Sequence, residues 1–384
     1  MKKTLTLMLA LLGATELWAQ TADTLSFFSK AFNEPRTVYV IKPEFYKYQS
    51  EEVRLPVIYL LDGQHEWLVN PLSSTIKYLQ YTHQIPQSIV VIIPLRNRNA
   101  ECSFNSETRE PTPLHRFITT EVDEQIKPYH PKRFKTLIGH SFSASFALYS
   151  CLLAPDYYSA VIAHTPLDAF EKLILRMEST EAVDYSRISI STGGKAQDKD
   201  FYHRSEYERL KSKYPAFFTS VHTFEADYAG HTAVPIVATP YLLTQIFADF
   251  SCRYTPIAEV NSEYKLKTLP ITVDDELQKT EEASRLGHYF FPPEIPEING
   301  LASRYAGSGL NDYAIAVYEK GIQYFPSYYE FHLALYELYL PISSEKARAH
   351  LNKADELLTT LETDLPEQQE LLQAINLEKN KNGW

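Results

Sequence analysis

The sequence contains little cysteine, and its basic residues are fewer than its acidic ones. Three cysteines, Cys102, Cys151 and Cys252, are too few and too scattered to build a disulfide framework or a zinc site. Lysine and arginine total 37 against 48 acidic residues, which gives a formal net charge of -11. Such a chain repels phosphate backbones, and no basic stripe in the sequence offsets that charge. The composition therefore argues against a nucleic-acid partner.

Long apolar runs are missing after the first twenty residues, so we expect no membrane span. The N-terminus reads MKKTLTLMLALLGATELWAQ, in which two lysines precede the apolar run Leu5 to Leu12 and the segment closes on Ala19. Basic, apolar and small residues in that order are typical of a secretory signal, and the run is too short to cross a bilayer. We predict a signal peptide over residues 1–19 and a mature protein that is periplasmic or secreted.

The body of the chain has the pattern of an α/β fold. Apolar residues make up 44% of the sequence and aromatic residues 13%, which excludes a disordered chain. From Gln20 to about Cys252, short apolar runs alternate with longer amphipathic ones, as expected for a mostly parallel, doubly wound sheet with crossover helices. Runs such as VIYLL and IVVII indicate strands buried on both faces. The predicted strands are Val57–Leu61, Ile89–Ile93, Phe134–Ile138, Ala160–Ala163, Arg187–Thr192 and Thr219–Phe224.

Beyond this region the chain changes character twice. Residues 256–298 are polar and acidic and include the proline-rich stretch FFPPEIPEI, so we interpret them as a linker. Residues 299–384 have helical spacing throughout, with about one and a half to two units that resemble tetratricopeptide repeats. A plain helical cap is the alternative. We therefore predict a domain over residues 20–255 that carries the chemistry, and an all-α domain with a concave surface suited to a protein partner.

A strand-to-helix turn holds the strongest functional signal. The segment FKTLIGHSFSASFALYSCLLAP passes from an apolar strand to an apolar helix through Gly139-His140-Ser141-Phe142-Ser143. In α/β hydrolases the nucleophilic serine sits on such a turn, with small residues on either side so that strand and helix approach closely. We predict an α/β-hydrolase with Ser141 as the nucleophile. Ser143 is small enough for the turn, and we expect His140 to line the substrate cleft.

The serine needs a base and an acid. Imidazole titrates near neutrality and suits proton exchange with a hydroxyl, and in this fold the histidine follows the last strand, where His231 stands in YAGHTAVP. The acid that orients the imidazole should follow the preceding strand, in the loop GGKAQDKD. We predict Asp198 in this role. Asp200, Asp168 on the loop before, or no acid at all are the alternatives.

Four segments resemble the putative esterase family, which includes enterochelin esterases, esterase D and feruloyl esterases. They are FSKAFNEPRTVYVIKPEFY, LPVIYLLDGQHEW, FITTEVDEQIKPYHPKRFKTLIGHSFSASFALY and FEADYAGHTAVP, in the family's order over most of residues 28–250. The chain departs from the family at Ser143 and Ala144, where two glycines are usual, and in the segment TPLDA. The resemblance implies a serine esterase that cleaves a carboxylic ester of the siderophore, feruloyl or acyl-sugar type through an acyl-enzyme.

The resemblance also implies where the oxyanion hole lies. Two backbone N–H groups must face the carbonyl oxygen of the substrate as it gains charge. One belongs to Phe142, the residue after the nucleophile. The other follows the family's Leu-Asp-Gly turn, and we assign it to Gln64, with Gly63 as the alternative. We expect Asp62 to shape this turn through its side chain.

Substrate contacts and partners follow from the same comparison. Arg96 and Arg98, on the loop after IVVII, would overhang the cleft and meet an anionic substrate, and solvated arginines are the alternative. No metal or organic cofactor is implied. The competing function is a catalytically decayed hydrolase core whose helices act as a binding or scaffold protein.

Overall fold

One eight-stranded sheet organises the first two thirds of the chain in this computed structural model, which describes residues 22–180, 183–195, 201–361 and 366–384. Its strands lie in the order β1-β2-β4-β3-β5-β6-β7-β8. Strands β3 to β8 are parallel, whereas β1 and β2 are antiparallel at one edge, so the predicted α/β class is confirmed. The strands are β1 Asp23–Ser29, β2 Glu34–Ile41, β3 Leu55–Leu61, β4 Ile89–Ile93, β5 Pro131–His140, β6 Ala160–His164, β7 Ile188–Gly193 and β8 His222–Ala226.

Apolar side chains cover both faces of the sheet. In β3, Tyr59 and Leu61 face one apolar cluster, while Ile58 and Leu60 face another on the opposite side. Every residue of β3 and of β4 is buried. Burial on both faces explains why these strands read as continuous apolar runs and not as an alternation.

Helices flank the sheet and then fill the C-terminal part of the chain. A π-helical turn, Phe117–Val122, follows the third helix, and 3₁₀ turns occur at Glu44–Tyr48, Lys127–Tyr129 and Tyr185–Arg187. Within the described ranges, no helix combines the length and the apolar character needed to cross a bilayer. The helices are α1 Glu66–Tyr81, α2 Arg98–Glu101, α3 Pro113–Arg116, α4 Asp123–Gln125, α5 Phe142–Leu153, α6 Phe170–Glu178, α7 Phe201–Lys213, α8 Pro215–Ser220, α9 Val234–Ile246, α10 Ala248–Cys252, α11 Val273–Ala283, α12 Ile295–Gly307, α13 Asn311–Tyr324, α14 Tyr329–Tyr339, α15 Ser344–Thr359 and α16 Pro366–Lys381.

The predicted strands overlap β3 to β7 closely, but the last one is displaced. Thr219 and Ser220 end α8 instead of starting a strand, because Pro215 begins that helix and both hydroxyls donate to backbone carbonyls one turn back. Strand β8 begins only at His222. The sequence pattern does not predict β1, because this edge strand alternates between half-buried and exposed residues and has no apolar run.

Residues 256–298 contain regular structure where we expected a linker. Helix α11 is followed by a two-stranded hairpin, β9 Arg285–Leu286 with β10 Tyr289–Phe290, and α12 then begins at Ile295. The acidic DDE stretch occupies the first turn of α11, where negative charge favours helix formation, and the Thr272 hydroxyl caps that end. The acidic composition therefore marks a helix start.

Buried charges join this segment to the amino ends of the parallel strands. The Arg253 side chain is 1% exposed, and its guanidinium pairs with Glu297 at 2.6 Å and donates to the Phe291 carbonyl at 2.8 Å. The Glu294 carboxylate accepts from the backbone N–H of Gln87, just before β4, at 2.6 Å. The helices that follow are therefore docked on the sheet through buried polar contacts.

Helices α12 to α16 follow one another through short turns, an arrangement that pairs neighbouring helices antiparallel. Helix α12 packs on α13, and α14 packs on α15. One apolar cluster includes Leu301, Tyr305 and Phe331, and a second includes Leu335 and Leu351. The predicted C-terminal helical region is confirmed, while its assignment to tetratricopeptide-like repeats stays a prediction.

Candidate active site

Ser141 lies on the sharp turn between β5 and α5. Its backbone has a positive φ of 60°, a conformation that costs energy for a residue with a side chain. Gly139 permits the close approach of strand and helix, since a Cβ there would stand 2.3 Å from the Ser143 carbonyl oxygen. The Ser141 N–H donates to the His164 carbonyl at the end of β6, at 2.8 Å. This strand-turn-helix geometry is the one that α/β hydrolases use to present a nucleophile.

Phe142 is the first residue of α5. The first N–H groups of a helix have no carbonyl partner within the helix, and the helix dipole makes this end favourable for negative charge. The backbone amide predicted for the oxyanion hole thus belongs to a helix N-terminus. The Phe142 side chain is 38% exposed and lies beside the Arg98 guanidinium, 5.8 Å from it.

The loop that carries His231 packs closely against the end of β7. A Cβ at Gly193 would stand 2.3 Å from the Ala229 carbonyl oxygen, and the Gly194 N–H donates to that oxygen at 2.9 Å. Helix α9 follows, with Pro235 in its first turn. Because β7 and β8 are parallel neighbours, this packing fixes the histidine loop at the carboxyl edge of the sheet.

The His231 ring lies between two other imidazoles. Its centroid is 4.5 Å from that of His140 and 4.4 Å from that of His203, with the second pair nearly parallel. The His140 Nε2–H donates to the His231 carbonyl oxygen at 3.0 Å. Burial lowers the pKa of His140 to about 4, so this ring is neutral near pH 7. This hydrogen bond therefore connects the loop of His231 to His140, the residue that precedes Ser141.

The loop after β3 lies beside the Ser141 turn because β3 and β5 are adjacent parallel strands. The Gly63 N–H donates to the Ile93 carbonyl at 3.0 Å, so this amide is already engaged within the protein. The Gln64 side-chain oxygen accepts from the Leu95 N–H at 2.8 Å, which ties the loop to the end of β4. Of the two amides considered for this side of the oxyanion hole, the geometry favours Gln64.

Asp62 is fully buried, and its carboxylate contacts two other segments as well as its own loop. It accepts from Arg98 Nε at 2.6 Å, from Ser143 Oγ at 2.6 Å and from Gln64 Nε2 at 3.3 Å. Its backbone φ is 64°, a conformation that aspartate tolerates better than most residues. The side chain thus links neighbouring loops, which differs from the local turn-shaping role expected from the sequence.

Both arginines predicted at the cleft have protein partners. Arg98 binds Asp62 and also donates to the His140 carbonyl at 2.6 Å. Arg96 donates to the Glu34 carboxylate at 2.9 Å and to the Pro35 carbonyl at 2.7 Å. Both guanidinium groups are thus engaged in contacts within the protein. Their role in substrate binding stays a prediction, and these contacts do not favour it.

The acid is the least defined part of the site. Asp198 and Asp200 lie outside the described residues. Asp168 is exposed on the loop after β6, beside Phe104 and Ser106. The identity of the acid therefore stays a prediction. In the described part of the chain, no group of three histidine, cysteine or carboxylate side chains is arranged to hold a metal ion.

Sequence reasoning does not single out His203 or Trp67. His203 is buried on α7 and stacks on His231, and the half-exposed Trp67 ring lies 6.5 Å from His140. His203 belongs to no motif and reaches His231 only through the packing of distant segments, whereas Trp67 closes the segment LPVIYLLDGQHEW without a predicted role. Only an arrangement in three dimensions reveals them.

Comparisons with known proteins support the fold that carries this site. An IroE-like serine hydrolase from Shewanella oneidensis is 17% identical, with a TM-score of 0.57 over 78% of this chain and 98% of that chain. An uncharacterised protein from Capnocytophaga ochracea is 16% identical, with a TM-score of 0.54 over 93% of this chain and 100% of that chain. The uncharacterized protein YjcH of Bacillus subtilis is 25% identical over 217 residues, 55% of this chain and 80% of the relative.

The fold is that of an α/β hydrolase, with a helical region after it. The model of the family described as Putative esterase matches residues 29–218. Through this segment the chain belongs to the putative esterase family, and the family supports ester hydrolysis as its activity. The alignment over 93% of the chain extends into the C-terminal helices, so the similarity of fold is not confined to the hydrolase part.

Proposed function

We propose that this chain is a serine carboxylic-ester hydrolase with Ser141 as nucleophile and His231 as general base. One observation carries the proposal: Ser141 has a positive φ at the end of β5, and the neighbouring His140 ring binds the His231 carbonyl oxygen. Strained conformations persist where the surrounding structure holds them, and they concentrate at functional sites. The family match over residues 29–218 supports the same assignment.

The reaction follows from these positions. The Ser141 hydroxyl attacks the ester carbonyl while His231 accepts its proton, which gives a tetrahedral intermediate. The N–H groups of Phe142 and Gln64 stabilise the oxyanion, and the first of them gains from its place at the start of α5. His231 then protonates the leaving alcohol, and water hydrolyses the acyl-enzyme by the same route. We propose Asp198 as the carboxylate that orients His231.

The substrate is a small carboxylic ester. Siderophore-type lactones, feruloyl esters and acyl sugars are the proposed candidates, because the resemblance to the family suggests these classes. Hydrolysis across a panel of p-nitrophenyl esters, feruloyl esters and an enterobactin-like trilactone separates them. A rate on one class at least about tenfold above the others would assign the substrate.

Three further assignments remain proposals from the sequence. Residues 1–19 serve as a signal peptide for export to the periplasm or the outside. The division near residues 255 and 299 separates a catalytic part from a tetratricopeptide-like part, and the helices of the latter receive a protein partner. The intact mass of protein recovered outside the cytoplasm tests the first assignment, because cleavage at Ala19 leaves Gln20 as the first residue.

The test of the function is the hydrolysis of p-nitrophenyl acetate by the wild type and by Ser141→Ala and His231→Asn. Each variant should lose at least about a thousandfold in kcat, since removing a member of a catalytic triad has effects of that size. Thermal melting should match the wild type within a few degrees. A Ser141→Ala protein that is folded and retains activity within a few-fold of the wild type would overturn the proposal.

A further inference from the structure

The hydroxyl of Ser143 makes specific bonds at a place where the family usually has glycine. Its side chain is fully buried. The oxygen accepts from the His140 N–H at 2.8 Å and lies 2.6 Å from the Asp62 carboxylate and 3.0 Å from the His140 carbonyl. A hydroxyl has one proton to donate. The carboxylate receives it, because it is charged and nearer, and because the His140 carbonyl already accepts from Arg98 at 2.6 Å.

The carboxylate that receives this proton is fully satisfied. One oxygen of Asp62 accepts from Arg98 Nε and Gln64 Nε2, and the other accepts from Arg98 Nη2 at 3.1 Å and from Ser143 Oγ. A buried ion pair is stable only when its geometry is good and its remaining hydrogen-bonding capacity is filled. Ser143 supplies the fourth of these bonds.

The network connects three loops at the carboxyl edge of the sheet. Asp62 follows β3, Arg98 begins α2 after β4, and Ser143 belongs to the first turn of α5. Asp62 and Ser141 both have a positive φ, so the backbone is strained on each side of the network. The Ser143 hydroxyl bonds Asp62 at one of these positions and the backbone of His140, the residue before Ser141, at the other.

We propose that Ser143, through the Asp62–Arg98 pair, is a positioning residue that holds the nucleophile turn in register with the loop bearing the Gln64 amide. The inference rests on the proposed serine-hydrolase function. The serine that stands here in place of glycine therefore has a positioning role, which a merely tolerated substitution would not have. Because small displacements of reacting groups are costly in rate, this brace should affect turnover more than binding.

The variants Ser143→Ala and Ser143→Gly test this with p-nitrophenyl acetate as the probe. Each should lower kcat on the order of 10- to 100-fold, the range expected for a nucleophile displaced by less than an ångström, with KM within about twofold. The glycine variant discriminates most sharply. If position 143 needs only a small residue, glycine restores the family's usual turn and activity is kept; if the hydroxyl acts as a brace, glycine is at least as damaging as alanine.

Ser150→Ala is the matched control. Ser150 is equally buried in the same helix and bonds His115 and Tyr158 at 2.8 Å, remote from the turn. Its loss should lower thermal stability as much as Ser143→Ala does and leave kcat within about twofold. Ser143 variants that melt like Ser150→Ala but keep wild-type kcat would overturn the inference. Inactive wild-type protein, or activity surviving in Ser141→Ala, would instead refute the proposed function.

Discussion

An ion pair with a buried partner lies near each end of the parallel strands, and the two pairs connect different parts of the protein. At the carboxyl ends, the Asp62–Arg98 pair joins the loop after β3 to the start of α2, and both Asp62 and Ser141 have a positive φ. Near the amino ends, Arg253 and Glu297 join the end of α10 to the start of α12. An arginine–carboxylate pair therefore holds loops beside the candidate nucleophile at one end, and a similar pair holds the first C-terminal helix at the other.

A large cleft lies at the opposite end of the parallel strands from Ser141. A cleft of about 1460 Å³ lies at the amino ends, between the sheet, the β9–β10 hairpin and α13, and its lining includes Lys132 and Tyr324. Burial lowers the pKa of Lys132 to about 7, and its amine donates to the Phe290 carbonyl. The place of this cleft and the place of the candidate nucleophile therefore do not coincide.

Breaking the docking pair should have the largest effect on stability. Arg253→Ala leaves the Glu297 carboxylate buried without its partner, which costs about 3–5 kcal/mol of unfolding free energy. Chemical denaturation measures this. Below the melting transition, hydrolysis of p-nitrophenyl acetate should stay at the wild-type level, because the pair lies far from Ser141.

Arg285→Ala is the control for that measurement. Arg285 pairs with Glu281 one turn away, but its side chain is 61% exposed, and such pairs contribute at most about 1 kcal/mol. Equal losses from the two variants would contradict the docking role assigned to Arg253.

Alanine substitutions at Gly193 and Gly300 give a second comparison, between the end of β7 and the C-terminal helices. Gly193→Ala forces a Cβ to within 2.3 Å of the Ala229 carbonyl and pushes the His231 loop away. Overpacking of this kind costs about 1–3 kcal/mol, and displacement of the base should lower kcat on the order of 100-fold. Thermal melts and steady-state kinetics measure both effects.

Gly300→Ala provides the opposite case. Beyond the local backbone of α12, no atom lies within 4 Å of a Cβ at this position, so alanine should stabilise the protein by about 0.5–1 kcal/mol and leave kcat unchanged. If Gly193→Ala were equally harmless, the close packing that places the histidine loop would have no functional consequence.

A separate expected effect is the pH dependence of stability. Burial lowers the pKa of His115 and His140 to about 4 and of His164 to about 3. The unfolded chain binds protons at these rings below about pH 6.5, whereas the folded chain does not until about pH 4. Stability should therefore be complete above pH 6.5 and fall as the pH decreases to 4. His115→Gln should show a shallower fall in Tm between pH 7 and 5, and an unchanged slope would contradict this.

The central strands and the serine turn could be predicted because they depend on local pattern. Apolar runs identify β3 and β4, and the small residues around Ser141 identify the turn. Contacts between distant residues leave no such pattern: Asp62 meets Arg98 and Ser143 across 36 and 81 positions. The ion pair between Arg253 and Glu297 likewise leaves no local sequence pattern. For this reason the acidic, proline-rich stretch has the composition of a linker although it is docked on the protein.

The most direct test of the account is labelling with a fluorophosphonate, since only an activated serine reacts. Wild-type protein should gain one phosphonyl group, and peptide mass spectrometry should place it on Ser141. His231→Asn should label at least about a hundredfold more slowly, and Ser141→Ala not at all. A folded wild-type protein that is not labelled, or whose label lies on another serine, would contradict the assignment of Ser141 as the nucleophile.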